Sequence, residues 1–464
     1  MDPGSFESLG QLSPPRAEVG LPDYLARLSA TRDQTGLPEA IVTGTALIDG
    51  YECVVIASAF EFLAGSIGQV AADSIVAAYT HATDVGLPVL ALPCSGGTRM
   101  QEGTSAFFRM IDIAEAAQRH RRSGNLSIAW MRNPTTGGVL ASWGSLGQIT
   151  FAEPGALVGF LGPRIFETLT GEKFPEGIQT SESLARAGVV DGVVALNDLR
   201  VTVATILDVD INKEPTPVAA RPDAPEPSVP SISSCLASTE RINRPGFVEF
   251  ISQCTEVTEL HGTTQGERSD MLRLALARID GVSCIVVGQD RSAQASGASL
   301  GPSALRQARR GFALADELGL PIVTIVDTTG AELSVDAELG ALACEIACCM
   351  ADLGAAVVPS VGVVLGRGCG GGALALLATD AVIAAQHAWV SPLPLEGASA
   401  IRFRSANFVD KVAVDLGIDA HSLQQAGVVD LVVAEVPDAA DEPVEFIARL
   451  ISTVGGQLRD ALHG

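Results

Sequence analysis

Ala187-Gly188-Val189-Val190-Asp191 returns as Ala426-Gly427-Val428-Val429-Asp430, and each copy runs one residue later into Val-Val-Ala. Upstream, Gly86-Leu87-Pro88-Val89 has its partner in Gly319-Leu320-Pro321-Ile322, 233 residues on. Between these markers lie two glycine pairs, Gly137-Gly138 and Gly371-Gly372, offset by 234 residues; the outer marker recurs after 239. Three markers in one order at near-constant spacing describe a duplicated domain, because solenoid repeats have periods of roughly 20–50 residues. Two copies of one scaffold imply two related sites.

The chain of 464 residues exceeds what one hydrophobic core serves, which agrees with two domains. Hydrophobic residues make up 47% and charged residues 18%, with 48 Gly. That balance suits an α/β protein whose strands are buried on both faces. The net charge of −24 argues against nucleic acid or an anionic membrane as partner. An anionic small molecule remains open through Arg99, Arg306, Arg309 and Arg310. The nine Cys are odd in number and contain no Cys-x-x-Cys, so reduced thiols in a cytoplasmic protein are expected. Cys344 and Cys348, one helical turn apart, are read as buried beside Leu342 and Ile346 rather than as metal ligands. No secretory leader opens the chain, and the apolar stretch 355–385 is broken by Pro359, Arg367, Asp380 and Gly, so no membrane span is expected.

Six prolines between Pro215 and Pro230 read as linker. The expected organisation is a first domain over 1–210, a linker over 211–245 and a second domain over 246–464. Each domain repeats one order of elements. A buried strand (89–92, 322–326) enters a small-residue turn, Ser95-Gly96-Gly97-Thr98 or Asp327-Thr328-Thr329-Gly330-Ala331. A helix follows, with Phe107, Met110, Ile111, Ala114 and Ala117 on its apolar face, or Leu339, Leu342, Ala343, Ile346 and Met350 in the second copy. A second strand (126–130, 361–365) then leads to the glycine pair. Alternating strands and helices mean α/β layers.

Strand, glycine turn and helix start together can aim backbone N–H groups at one oxygen, which is an oxyanion hole. Tight strand–helix packing explains such glycines equally well. A phosphate cradle at 366–372 is the weaker reading, since no Gly-Lys-Ser/Thr follows. Side-chain catalysts are not apparent. None of the six His sits in a glycine turn, and His387 is read as packing a strand end. Gly297-Ala298-Ser299-Leu300-Gly301 lacks the buried strand a nucleophile elbow needs and is read as a loop. Glu102, Glu153 and Glu396 are read as capping or ion-pairing rather than as bases. Without a side-chain base, a cofactor must supply it.

The run Ser95-Gly96-Gly97-Thr98-Arg99-Met100-Gln101-Glu102-Gly103, with Pro134-Thr135-Thr136-Gly137-Gly138-Val139 and Ala152-Glu153-Pro154-Gly155-Ala156, resembles the β carboxyltransferase subunit of bacterial acetyl-CoA carboxylase. Phe60-Glu61-Phe62 with Gly65-Ser66-Ile67-Gly68, and Phe174-Pro175-Glu176-Gly177, continue the match. The second half resembles the α subunit, through Gly288-Gln289-Asp290-Arg291, Asp327-Thr328-Thr329-Gly330-Ala331, Gly371-Gly372-Ala373 and Glu396-Gly397-Ala398-Ser399. The resemblance implies two duplicated crotonase/ClpP-like ββα-superhelix domains in one chain. It implies transfer of CO₂ from carboxybiotin, held on a separate carrier protein, to the α-carbon of acetyl-CoA, giving malonyl-CoA for fatty acid synthesis. Gly137 and Gly138 would hold the thioester oxygen, and Gly371 and Gly372 the biotin ureido oxygen. Ser95, Gly96, Gly97, Arg99, Gly65, Ser66, Gly330, Ala331 and Ala373 would bind substrate. Implied partners are biotin carboxylase, the biotin carboxyl carrier protein, an acyl-CoA and further copies of the chain, as a homodimer or trimer of dimers.

The four-cysteine zinc ribbon that often precedes such β subunits is absent, so no metal is expected. The second half departs from the α pattern at Thr329, Glu332, Leu333, Arg367 and Cys369. Propionyl-CoA or longer substrates, a biotin-dependent decarboxylase or transcarboxylase, and a non-catalytic subunit of a carboxylase complex are the competing readings.

Overall fold

The computed structural model describes residues 1–10, 22–160, 162–216 and 225–463. It forms two compact units, one of residues 1–208 with 264–266 and one of residues 209–263 with 267–464.

Each unit is built on a seven-strand path with the same order and sense. In the first, Glu7–Ser8, Ile41–Ile48 and Tyr51–Ser58 pair antiparallel. Val89–Leu92, Ser127–Met131, Ile149–Ala152 and Gly192–Val193 then add in parallel. In the second, Thr255–Leu260, Leu272–Ile279 and Val282–Gln289 are antiparallel. Ile322–Thr328, Ser360–Cys369, Ala381–Ala385 and Leu431–Val433 follow in parallel. Parallel neighbours need crossover helices, supplied by Gln69–Val85 and Gly103–Arg122 in the first unit and by Pro302–Leu318 and Leu342–Gly354 in the second. Ile56, Ile75, Tyr79, Ile113 and Trp143 meet in the first core; Val286, Ile325, Val363, Ile383 and Phe446 meet in the second.

The repeated markers hold these sheets together. Gly86 and Gly319, at φ +70° and +65°, end the first crossover helix of each unit in the left-handed conformation that glycine takes without strain. The carbonyls of Pro88 and Pro321 then accept from Val54 and Ile285, both at 2.9 Å. Gly188 and Gly427 likewise sit at positive φ just past short helices. The Asp that closes each AGVVD copy accepts the N–H of the second residue of a neighbouring strand: Asp191 from Thr150 at 2.8 Å and Asp430 from Val382 at 2.7 Å.

Several expectations change. The helix Gly103–Arg122 buries Ala106, Met110, Ile113, Ala116 and Ala117, while Phe107 and Ile111 are exposed. Small alanines make its inner face, so the large apolar residues misled the reading. Leu339 belongs to a separate short helix and is exposed. Cys344 is exposed and Cys348 half-buried, with their sulfurs 4.0 Å apart; it is Cys349 that enters the core. The segment 211–245 is not linker throughout. Ile232–Glu240 is a helix whose Cys235 packs against Trp389, Val412 and Ile418, because Ser231 caps it and an apolar face follows the last proline. The prolines and neighbours at 217–224 lie outside the described residues.

Candidate active site

In the first unit, Val89–Leu92 runs into a turn tied by its own side chains. Ser95 is buried; its Oγ accepts the Gly97 N–H at 3.0 Å and its carbonyl accepts from Thr136. Gly97 sits at φ +112° beside Gly137, itself at φ +62°. Gly137 donates to the carbonyls of Gly159 and Phe160 and so offers nothing outward. Thr98 and Gly138 differ. Neither N–H finds an acceptor among the described residues, and both residues are only half-buried. A methyl group on Gly138 would lie 2.8 Å from Thr98 Oγ1, which shows how closely the two segments approach. Two donors without acceptors on neighbouring segments, beside the start of a helical turn, can hold one oxyanion.

The second unit repeats this geometry at a constant offset of 233. The bridges Ile67–Thr98 and Ser95–Thr135 of the first unit become Leu300–Ala331 and Thr328–Gly368. Gly330, at φ +126°, donates to Thr328 Oγ1 at 3.1 Å, as Gly97 does to Ser95. The glycine at φ +62° is Gly370. Gly137-Gly138 therefore corresponds to Gly370-Gly371, one residue earlier than matching the glycine pairs by eye suggests. Gly372 is buried and takes the place of Val139. The N–H groups of Ala331 and Gly371 lack acceptors among the described residues, as those of Thr98 and Gly138 do. Sequence reading missed Thr98 and Gly370. Subtracting the offset of 233 from Ala331 would have reached Thr98, and adding it to Gly137 would have reached Gly370.

The remaining candidates take definite places. Gly65, at φ +61°, presses on the Cys94 carbonyl so closely that a side chain there would overlap it. Gly96 donates to Ala64 O, fixing the Gly65–Ser66 loop against the turn. Arg99 is wholly buried. Its guanidinium donates to Glu39, Glu102, Ser66 O and Ser66 Oγ, which leaves no face for a ligand. Burial opposes its charge, yet Glu39 and Tyr24 hold its pKa above the ordinary arginine value. Beside this loop opens a groove of about 340 Å³ lined by Asp23, Tyr24, Arg27, Leu63 and Ser66. Ala373 is buried behind the second turn. Thr329 and Arg367, two of the altered residues, line a groove of about 630 Å³ with Arg291 and Gln294. Cys369 packs near Gly330, and burial pushes its thiol up to about 11.

Among the described residues, no side-chain base emerges at either turn. Glu102 accepts from Tyr24 and the Gln69 N–H, and Glu153 accepts from Asn133 N–H. His387 bonds Glu435 through Nδ1 at 2.9 Å just before the strand Trp389–Ser391. His387, Glu435 and Asp438 bring metal-ligand atoms within 4.8 Å, but Arg244 takes both Glu435 oxygens at 2.7 Å. Ser299 lies after a five-residue helix rather than a strand, and it bonds Glu332. Arg306 and Arg309 pair with Glu267, Glu345 and Asp352, and Arg310 donates to the carbonyls of His261 and Gly262. These three arginines are committed within the second unit.

Residues 3–456 match the carboxyl transferase domain family. A protein of Mycobacterium tuberculosis named "Probable biotin-dependent acyl-coenzyme A carboxylase beta3 subunit" is 48% identical over 460 residues, 99% of this chain and 92% of its own length. "Acetyl-coenzyme A carboxylase carboxyl transferase subunits beta/alpha" of Saccharopolyspora erythraea is 35% identical, covering 95% of this chain and 80% of that protein. Among solved structures, the transcarboxylase 12S hexamer with methylmalonyl-coenzyme A bound superposes with a TM-score of 0.77. That match covers 100% of this chain and 88% of the other at 22% identity, so it speaks for the fold. None of the described helices is long and apolar enough to cross a membrane.

Proposed function

This chain belongs to the carboxyl transferase domain family, with its crotonase-like fold, and from that premise we propose that it is the carboxyltransferase component of a biotin-dependent acyl-CoA carboxylase. One observation carries the reading: at equivalent places in each unit, two neighbouring segments each hold a backbone N–H without an acceptor among the described residues. A reaction that develops negative charge on two different oxygens needs such a pair of sites.

In the first unit, Thr98 and Gly138 hold the thioester carbonyl oxygen and stabilise it as the α-carbon loses its proton. A single donor of this kind contributes about 2.7–4 kcal/mol to lowering the barrier. The Gly65–Ser66 loop, braced by Arg99, and the groove beside Tyr24 and Arg27 receive the coenzyme A part. In the second unit, Ala331 and Gly371 hold the ureido oxygen of biotin, and Thr329 and Arg367 line the approach. Carboxybiotin bound there would supply the carboxyl carbon and, through the ureido nitrogen left once CO₂ has departed, the proton acceptor that no described side chain at either turn provides.

The carrier is a separate biotinylated protein charged by a biotin carboxylase, and the working assembly is a homo-oligomer, a dimer or a trimer of dimers. Nine free cysteines suit a reducing cytoplasm. Acetyl-CoA is the proposed first substrate, because a relative 35% identical is named for acetyl-coenzyme A. The test supplies carboxybiotin, free and carrier-bound, with acetyl-, propionyl- and butyryl-CoA. Malonyl-CoA or its alkyl homologues are expected; no carboxylated thioester from any pairing would sink the proposal.

A further inference from the structure

The two turns share one geometry but are tied down differently. In the first unit the Gly96 N–H, two residues before the Thr98 donor, goes to a main-chain acceptor, Ala64 O, at 3.0 Å. The residue 233 further on is Thr329, and its N–H goes to a side chain, Gln294 Oε1, at 2.9 Å. An N–H can only donate, so the amide oxygen of Gln294 faces Thr329 and its NH₂ group faces the rest of the turn. There Nε2 lies 3.3 Å from Thr328 Oγ1 and 3.5 Å from Gly330 O. Thr328 Oγ1 also donates to Gly330 O, at 3.2 Å. Gly330 O is the decisive atom. It belongs to the same planar trans peptide as the Ala331 N–H, and the two point in opposite directions. Whatever holds this carbonyl aims that N–H, the more so because glycine at φ +126° restrains itself little.

We infer that Gln294 is a positioning residue for the second oxyanion hole, aiming the Ala331 N–H at the biotin ureido oxygen without touching the reacting atoms. The inference rests on the reading that Ala331 and Gly371 hold that oxygen. Gln294 reaches the turn from the short helix Arg291–Ala295, which Asp290 caps through the N–H groups of Ser292 and Ala293. The two segments of the hole are joined separately. Buried Gln289 accepts the Asp327 N–H at 3.1 Å and donates to Gly372 O at 2.7 Å. Loss of Gln294 therefore frees the turn while its base stays tied to the glycine helix. Charge on the ureido oxygen grows as CO₂ departs, so a misaimed donor costs more in the transition state than in the ground state. A displacement of 1 Å in such a group lowers the rate about 100-fold. Leucine at 294 offers Thr329 no acceptor and Gly330 O no donor. Glutamate keeps the acceptor and loses the NH₂ group.

The test compares the wild-type chain with Gln294→Leu and Gln294→Glu, each in the intact carboxylase complex. Turnover is measured with free carboxybiotin and acetyl-, propionyl- or butyryl-CoA, and binding of biotin and of each thioester by calorimetry. Gln294→Leu should lower kcat about 100-fold and weaken biotin binding about five-fold. The KM and Kd of the acyl-CoA should stay within about two-fold of wild type, a split that a general loss of structure does not produce. Gln294→Glu, which keeps the Thr329 bond, should recover about five-fold of the lost kcat. If Gln294→Leu does not fold, the loss in Gln294→Glu must still fall on kcat and biotin and spare acyl-CoA binding. Unchanged turnover in Gln294→Leu, equal weakening of biotin and acyl-CoA, or a wild type that binds no biotin would overturn the inference. If no thioester is carboxylated but biotin binds and Gln294→Leu weakens it selectively, the positioning role stands while the carboxylation reading falls.

Discussion

At the scale of single residues, function is assigned to main-chain N–H groups, so the informative substitutions are those that block access to them. A side chain at 138 would meet Thr98 Oγ1 at 2.8 Å and displace the substrate oxygen from between the two segments. Gly138→Val should cut turnover at least 100-fold in a steady-state carboxylation assay while leaving the far-ultraviolet circular dichroism unchanged. His120 makes a different prediction. It is buried, with Nε2 donating to Leu126 O at 3.2 Å and Nδ1 3.1 Å from Thr83 Oγ1, and burial lowers its pKa from 6.5. Between the lowered value and 6.5 the unfolded chain binds the extra proton. The contribution to stability is therefore complete above about pH 6.5 and shrinks as the pH falls below it. Unfolding midpoints measured from pH 7.5 to 5.5 should fall with pH, and His120→Gln should flatten that slope. At this scale the sequence pointed to the Gly137-Gly138 turn, in which the Gly137 N–H is taken by Gly159 and Phe160 and Gly138 keeps an N–H without an acceptor among the described residues. It did not show that Arg99 is consumed by Glu39 and Glu102, because those partners are brought together by the fold.

At the scale of elements, the second unit leans on one buried ion pair. Arg244 follows the helix Ile232–Glu240, donates to Ser238 Oγ and to Leu365 O of the central strand, and takes both oxygens of Glu435. Burial opposes a charged Glu435, but Arg244 and His387 hold its carboxyl well below the ordinary value of 4.5. Glu435→Ala would strand a buried guanidinium and should cost about 3–5 kcal/mol in a denaturant titration followed through the second unit. The carboxylate's own contribution is present above its unfolded pKa and is lost on acidification through the depressed one, so the deficit of Glu435→Ala should narrow as the pH drops below about 4.5. The helix itself was hidden in a proline-rich segment whose composition favours linker. Strands fared better, since unbroken runs such as 322–326 can only be buried. Helix faces fared worse where alanine makes the inner surface, as in Ala106 and Ala116.

For the whole molecule, the duplication was legible because its markers are structural necessities: positive-φ glycines after helices and an aspartate that pins each sheet. The register of the glycine turns was not, because Gly370-Gly371-Gly372 offers two pairings and only strand bridges decide between them. Once the turns are aligned, both units carry the same pair of N–H donors, and the central claim is that the two pairs serve one carboxyl transfer. The direct measurement follows isotopically labelled carboxyl carbon from carboxybiotin into CoA thioester. The account predicts label in malonyl-CoA or a longer homologue with the wild-type chain, and its loss with Gly138→Val. Label that never reaches a thioester, or reaches it equally well with Gly138→Val, would contradict it.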